Sequence, residues 1–140
     1  MAIPYIPGQG TIVICDFKGY VQPEMVKRRP AIVVSPRFRQ RPGLCTIVPC
    51  STTAPHRPMP YHYELTLDEA LPCPYDSLTQ WVKCDMFCTV SLDRLFLPYN
   101  GKDANGKRDY IIKIIDDADM QRIRECMLNA MGLSHLTPHL

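Results

Sequence analysis

Apolar residues in the first two thirds of the chain come in short runs, each too brief for a helix. Thr11 to Phe17 (TIVICDF) is β-branched and apolar on both faces and is bounded by Gly8, Gly10 and Gly19. That is the pattern of a strand with neighbours on both sides. Ala31 to Ser35 (AIVVS) and Leu44 to Cys50 (LCTIVPC) repeat it, and Pro36 to Gly43 between them supplies the turn formers of a hairpin tip, so antiparallel pairing is expected. Tyr61 to Leu67 alternates, with Tyr61, Tyr63, Leu65 and Leu67 on one face and His62, Glu64 and Thr66 on the other, which predicts a half-exposed strand. From Trp81 the alternation resumes. Val82, Cys84 and Met86 form one set and Trp81, Lys83 and Asp85 the opposite one, so burying the first set displays the second.

Residues 100 to 107 form a polar turn cluster, followed by a predicted strand from Tyr110 to Ile115. Asp116 or Asp117 can cap a helix whose apolar residues Met120, Ile123, Met127, Ala130 and Met131 recur at helical spacing, with Gly132 placed to end it. The Met-rich stripe reads as core. Residues from about 134 read as a short tail. No repeat, low-complexity tract or linker divides the chain, so one domain over 1–140 is expected. Its fold class is mostly β: a small antiparallel, barrel-like sheet of the SH3-like kind with a C-terminal α-helix.

Composition narrows this further. Fourteen prolines in 140 residues, most of them before residue 75, exclude an all-helical bundle, because an interior proline removes a helical hydrogen bond and clashes with the preceding turn. No uncharged apolar stretch approaches the ~18 residues of a membrane span, and the opening Met1-Ala2-Ile3-Pro4-Tyr5 lacks a basic and apolar leader. A cytoplasmic protein without membrane contact is expected. Seven cysteines, an odd number with no C-x-x-C, lie inside apolar runs and suggest reduced core thiols. A zinc set built from Cys84 and Cys88 with Cys73 or His62 lacks the two close ligand pairs of structural zinc, so no metal and no cofactor are expected.

Charge is polarised. Residues 27 to 57 hold seven basic residues and no acid, whereas the rest holds nine basic and fourteen acidic. The run reads either as a solvated rim or as a one-sign face that attracts a polyanion. Three segments bring reactive groups to strand ends: Glu24 and Arg29 around a loop, Ser51 and Thr52 after a strand, and Lys83 with Asp85. Taken singly, Ser-Thr-Thr before Ala-Pro is a turn-capping sequence, Arg-Pro a strand start and Glu24 a solvated carboxylate. Together they would suffice for acid–base chemistry on a phosphodiester.

The order of these blocks resembles the PemK/MazF family of toxin endoribonucleases. The resemblance runs from about residue 8 to 133 through Gly10-x-Ile12-Val13, Pro23-Glu24-Met25-x-Lys27-x-Arg29-Pro30, Val48-Pro49-x-Ser51-Thr52 and Lys83-Cys84-Asp85-Met86. It implies the MazF and CcdB type of barrel, a homodimer, a cognate antitoxin, DNA contact only through the toxin–antitoxin complex, and metal-independent cleavage of single-stranded RNA at short sequences. It further implies that Arg29 is the catalytic arginine, Ser51 or Thr52 the active hydroxyl, Glu24 the loop glutamate, and Lys83-Cys84-Asp85 the counterpart of an Arg-Cys-Asp pattern. Lys83 replaces the family arginine there, and Gln22-Pro23 stand where some members carry a loop histidine.

The resulting expectation is attack of the RNA 2′-OH, activated by Glu24 or Asp85, leaving a 2′,3′-cyclic phosphate and a 5′-OH. Lys27, Arg28, Arg37, Arg39 and Arg41 would bind the RNA, and Phe38, Tyr61 or Trp81 would stack on its bases. The competing reading is a non-catalytic binding toxin of the same fold, a CcdB-like gyrase inhibitor or a degenerate member. CcdB-type poisons carry a Trp-Gly-Ile terminus, whereas this chain closes on Thr137-Pro138-His139-Leu140.

Overall fold

The computed structural model describes residues 2–140. Seven strands form one antiparallel sheet: β1 (Ile12–Cys15), β2 (Arg29–Val33), β3 (Leu44–Ser51), β4 (His62–Thr66), β5 (Thr79–Lys83), β6 (Cys88–Ser91) and β7 (Leu95–Phe96). Their spatial order is β4-β5-β3-β2-β1-β7, with β6 also paired to β3. A hairpin of β8 (Tyr99–Lys102) and β9 (Arg108–Tyr110) stands apart from it, and α1 (Asp117–Ala130) follows. Among the described residues no helix is long and apolar enough to cross a membrane.

The sheet buries both faces along β1, β2 and the middle of β3. Ile12, Ile32, Val48, Cys50, Leu65 and Val82 pack beneath Met120 and Ile123 of α1. Val13, Cys15, Ala31, Val33, Ile47, Val90 and Leu95 line the opposite face, where the curl of the sheet and the segment holding Phe17 and Met25 close the barrel. Apolar residues on both faces of Thr11 to Phe17 are thus accounted for, since β1 lies between β2 and β7. Gly10 turns the chain into β1 at φ 88°, and a Cβ there would come within 3.3 Å of Ile114, beside the bridge from Thr11 to Ile114.

The hairpin between β2 and β3 and the alternation of β4 agree with the sequence pattern, Leu65 and Leu67 being buried while Glu64 and Thr66 are exposed. The helix agrees as well. Asp116 caps it by accepting from Asp119 N–H at 2.8 Å, and Gly132 follows at φ 72°. Three expectations differ. Met131 is exposed rather than core, because it lies past the last turn. Residues 134–139 form a 3-10 helix rather than a plain tail. The cluster at 100–107 is partly strand, since Tyr99–Lys102 pairs with Arg108–Tyr110, and the expected strand at 110–115 leaves regular pairing after Tyr110.

The largest departure lies after β5. Val82 pairs with Cys50, whereas Cys88 pairs with Ile47, so three steps along β3 correspond to six along its partner. The surplus residues Cys84-Asp85-Met86 leave the ladder as a 3-10 turn. Lys83 therefore ends a strand, and Asp85 belongs to a turn with its own direction. Strand alternation beyond Lys83 does not hold, and the two side chains are not displayed as a pair on one strand face.

Candidate active-site groove

Antiparallel register brings the start of β2 and the end of β3 together. Ala31 lies opposite Pro49, and Arg29 and Ser51 each lie two residues beyond that pair on their own strands. Ser51 in turn pairs with Trp81, and Trp81 with Glu64. Side chains directly opposite in neighbouring strands share a face. One row across the sheet therefore reads Ser51, Trp81, Glu64, with Lys83 and His62 paired in the row beside it.

The loop before β2 walls this face. Glu24, Met25, Lys27, Arg29, Lys83 and Met86 line an open groove of about 630 Å³. A second hollow of about 350 Å³ shares Pro23, Glu24, Met25 and Met86 and adds Tyr20, Asp85 and Cys88. Glu24 stands on the border, where its Oε1 accepts from Val21 N–H at 2.9 Å and fixes the loop. Three cations and one carboxylate line the larger groove, a balance that attracts an anion. The Arg29 Nε–H is buried without a hydrogen-bond partner among the described residues. A buried donor left unsatisfied costs ~1–3 kcal/mol, so the guanidinium is not held there for internal pairing.

Glu24, Lys27, Arg29 and Lys83 thus line one groove. Ser51 is buried at the end of β3, with its Oγ accepting from Thr53 N–H at 3.1 Å, and Thr52 follows it exposed. Asp85 lies in the adjoining hollow, across Glu24 from Lys83, because of the 3-10 turn.

The remaining basic residues do not join the groove. Arg37, Phe38, Arg39 and Arg41 occupy the closed end of the β2–β3 hairpin, on the order of 20 Å of strand from Arg29. Arg37 donates to Ile6 C=O, and Arg41 to Thr46 and Thr89, so these two serve the barrel rather than a ligand. Arg28 points away from Arg29, stacks over Phe96 and pairs with Asp16 at 3.4 Å. Residues missed by sequence reasoning include Met86 and Gln22 in the groove wall, and Glu64 beyond Trp81. Alternation already displayed Glu64, but only cross-strand pairing reveals its neighbour.

Cys84, flanked by Lys83 and Asp85, faces inwards and donates to Val82 C=O at 3.9 Å; the neighbouring Cys126 thiol and burial raise its pKa well above an ordinary thiol, while Cys126 is held low. Burial pushes the thiols of Cys15 and Cys50 up to about 12. Alkylation at pH 8 should accordingly modify exposed Cys73 and partly exposed Cys126 first and reach Cys15 and Cys50 only on unfolding. Peptide mapping would contradict this by finding Cys50 labelled in the native protein as fast as Cys73. Among the described residues no cluster of three or more His, Cys, Asp or Glu side chains is arranged to hold a metal.

A curled antiparallel sheet with one covering helix and a cationic groove at the strand ends defines a small barrel with an anion-attracting face. Residues 8–130 match the model of the PemK-like, MazF-like toxins of type II toxin–antitoxin systems, and the chain belongs to that family. An uncharacterized protein of Haemophilus influenzae is 28% identical, over 93% of both chains. A 53-residue stretch is 36% identical to the endoribonuclease toxin MazF of Escherichia coli, covering 37% of this chain and 48% of that one. MazF from Deinococcus radiodurans superposes with a TM-score of 0.62 at 20% identity, covering 91% of this chain and 98% of that one. An endoribonuclease from Mycobacterial species, in complex with its cognate antitoxin, gives 0.61 at 24%, covering 91% and 96%. At these identities the structural likeness shows the fold.

Proposed function

We propose that this toxin is an endoribonuclease that cuts single-stranded RNA at selected sequences. The observation that carries the reading is the convergence of Arg29, Lys83 and Glu24 in one groove, with Ser51 at the neighbouring end of β3. Glu24 takes the proton of the RNA 2′-OH, whose oxygen attacks the adjacent phosphorus. The P–O5′ bond breaks, and Lys83 supplies the proton to the departing oxygen. The products are a 2′,3′-cyclic phosphate and a 5′-OH. Arg29 bears on the phosphoryl oxygens as charge develops, where a planar fork suits phosphate better than a point charge. Ser51 and Thr52 orient the phosphate or ribose. Base, acid and charge stabiliser are all side chains, so the chemistry needs no metal or cofactor.

The same reading places the protein in the cytoplasm as a homodimer, silenced by a cognate antitoxin and touching DNA only through that complex. A structural neighbour solved in complex with its cognate antitoxin supports the partner. Incubating the purified protein with mixed single-stranded RNA in EDTA should give fragments with 5′-OH ends, and the all-deoxy strand should stay intact. Activity that disappears in EDTA and returns with magnesium or manganese would contradict the mechanism.

A further inference from the structure

We infer that Glu64 and Trp81 form a base-reading subsite that selects guanine in the nucleotide next to the phosphate held at Arg29. The inference rests on the RNA reading above. Its own observation is the cross-strand row Ser51, Trp81, Glu64, which starts at the end of β3, beside the start of β2 where Arg29 stands. Neighbouring strands are ~4.8 Å apart, so Trp81 stands ~5 Å and Glu64 ~10 Å from Ser51 along the row. A strand entering the groove with a phosphate at Arg29 passes over the indole next and reaches the carboxylate last.

Each residue brings the chemistry its place requires. The half-buried Trp81 indole is an aromatic platform on which an unstacked base can lie. Glu64 is exposed, and the three ion pairs of the described residues (Arg28–Asp16, Lys113–Asp68 and Arg122–Glu125) leave its carboxylate uncommitted. An ionised carboxylate only accepts hydrogen bonds, and it accepts two side by side. Among the four bases only guanine presents two adjacent donors, N1–H and N2–H, on its Watson–Crick edge. Adenine and cytosine place a ring acceptor beside their amino group, and uracil flanks one donor with two carbonyls. Those acceptors would face the carboxylate with like partial charge.

Trp81 is the single tryptophan of the chain, so its fluorescence reports directly on this subsite. Short 2′-O-methyl oligonucleotides, which resist 2′-OH attack, would be titrated into the full-length protein, with binding followed in parallel by anisotropy of a labelled strand. A guanine-containing oligonucleotide should quench the indole and bind about tenfold or more tightly than its adenine, cytosine and uracil counterparts, the scale of one good bidentate base contact. Glu64→Gln, which trades one acceptor for a donor, should abolish the preference while leaving thermal stability unchanged. Trp81→Phe should lower affinity for all sequences and retain the preference. Equal quenching by all four bases overturns the inference, as does a guanine preference that survives Glu64→Gln. Guanine-selective binding without cleavage of ordinary RNA would count against the nuclease reading alone. Cleavage with site choice unaltered by Glu64→Gln would count against the subsite alone.

Discussion

Arg29→Ala is expected to slow RNA cleavage by ~10²–10³ at saturating substrate, the usual cost of removing one preorganised donor at developing charge. The barrel should keep its stability. No ion pair of the described residues involves Arg29, and its Nε–H has no protein partner, so truncation breaks no internal bond of that group. Arg29→Lys should recover little, since an ammonium restores charge without the fork that spans two phosphoryl oxygens. The closed end of the hairpin provides the contrast. Arg37 and Arg41 bond Ile6, Thr46 and Thr89, and neutralising them should disturb the barrel's edge before it disturbs turnover. Single-turnover rates and thermal melts measured on the same preparations separate the two outcomes. A loss of melting temperature in Arg29→Ala that matches its loss of rate would remove the arginine from the chemistry.

Glu24→Gln should reduce turnover by ~10²-fold or more, within the range of positioned general bases. The substitution is well controlled by the loop itself. Glu24 Oε1 accepts from Val21 N–H, and a glutamine oxygen can accept the same bond, so the wall keeps its shape while the base is lost. Asp85→Asn should cost less than about tenfold, because the 3-10 turn sets Asp85 in the adjoining hollow and not beside Arg29 and Lys83. Rates measured from pH 5 to 9 at saturating RNA would assign the base. The assignment passes to Asp85 if its substitution carries the larger loss.

The sequence is most legible where one rule operates at a time. Two-sided apolarity in TIVICDF, turn formers between β2 and β3, alternation through Leu65, and the Asp116 cap each reflect a local preference that the barrel reinforces. The start of β2 and the end of β3 become neighbours from the same pattern, since a hairpin closing at Pro36 to Gly43 must bring its open ends together. That geometry also divides the basic run. Residues near in sequence along a hairpin lie far apart in space, so a charge block spanning 27–57 is spread over opposite ends of two strands and both faces of one. The turn after Lys83 was illegible for another reason. Val82, Cys84 and Met86 satisfy strand periodicity as well as any real strand, and only the pairing of Cys88 with Ile47 shows that three residues have left the ladder.

That excursion separates scaffold from chemistry along the chain. If the three residues of the turn were cut out, Phe87 and Cys88 would follow Lys83 directly and fall opposite Val48 and Ile47, in the register β5 already keeps with Cys50 and Ser51. One unbroken strand would cross the sheet. The turn is therefore a whole-register insertion: the sheet's pairing neither requires it nor resists it, and its exposed Asp85 can vary in identity without shifting any strand while Cys84 stays anchored in the core. The groove's local chemistry can diverge there while the barrel beneath it stays aligned.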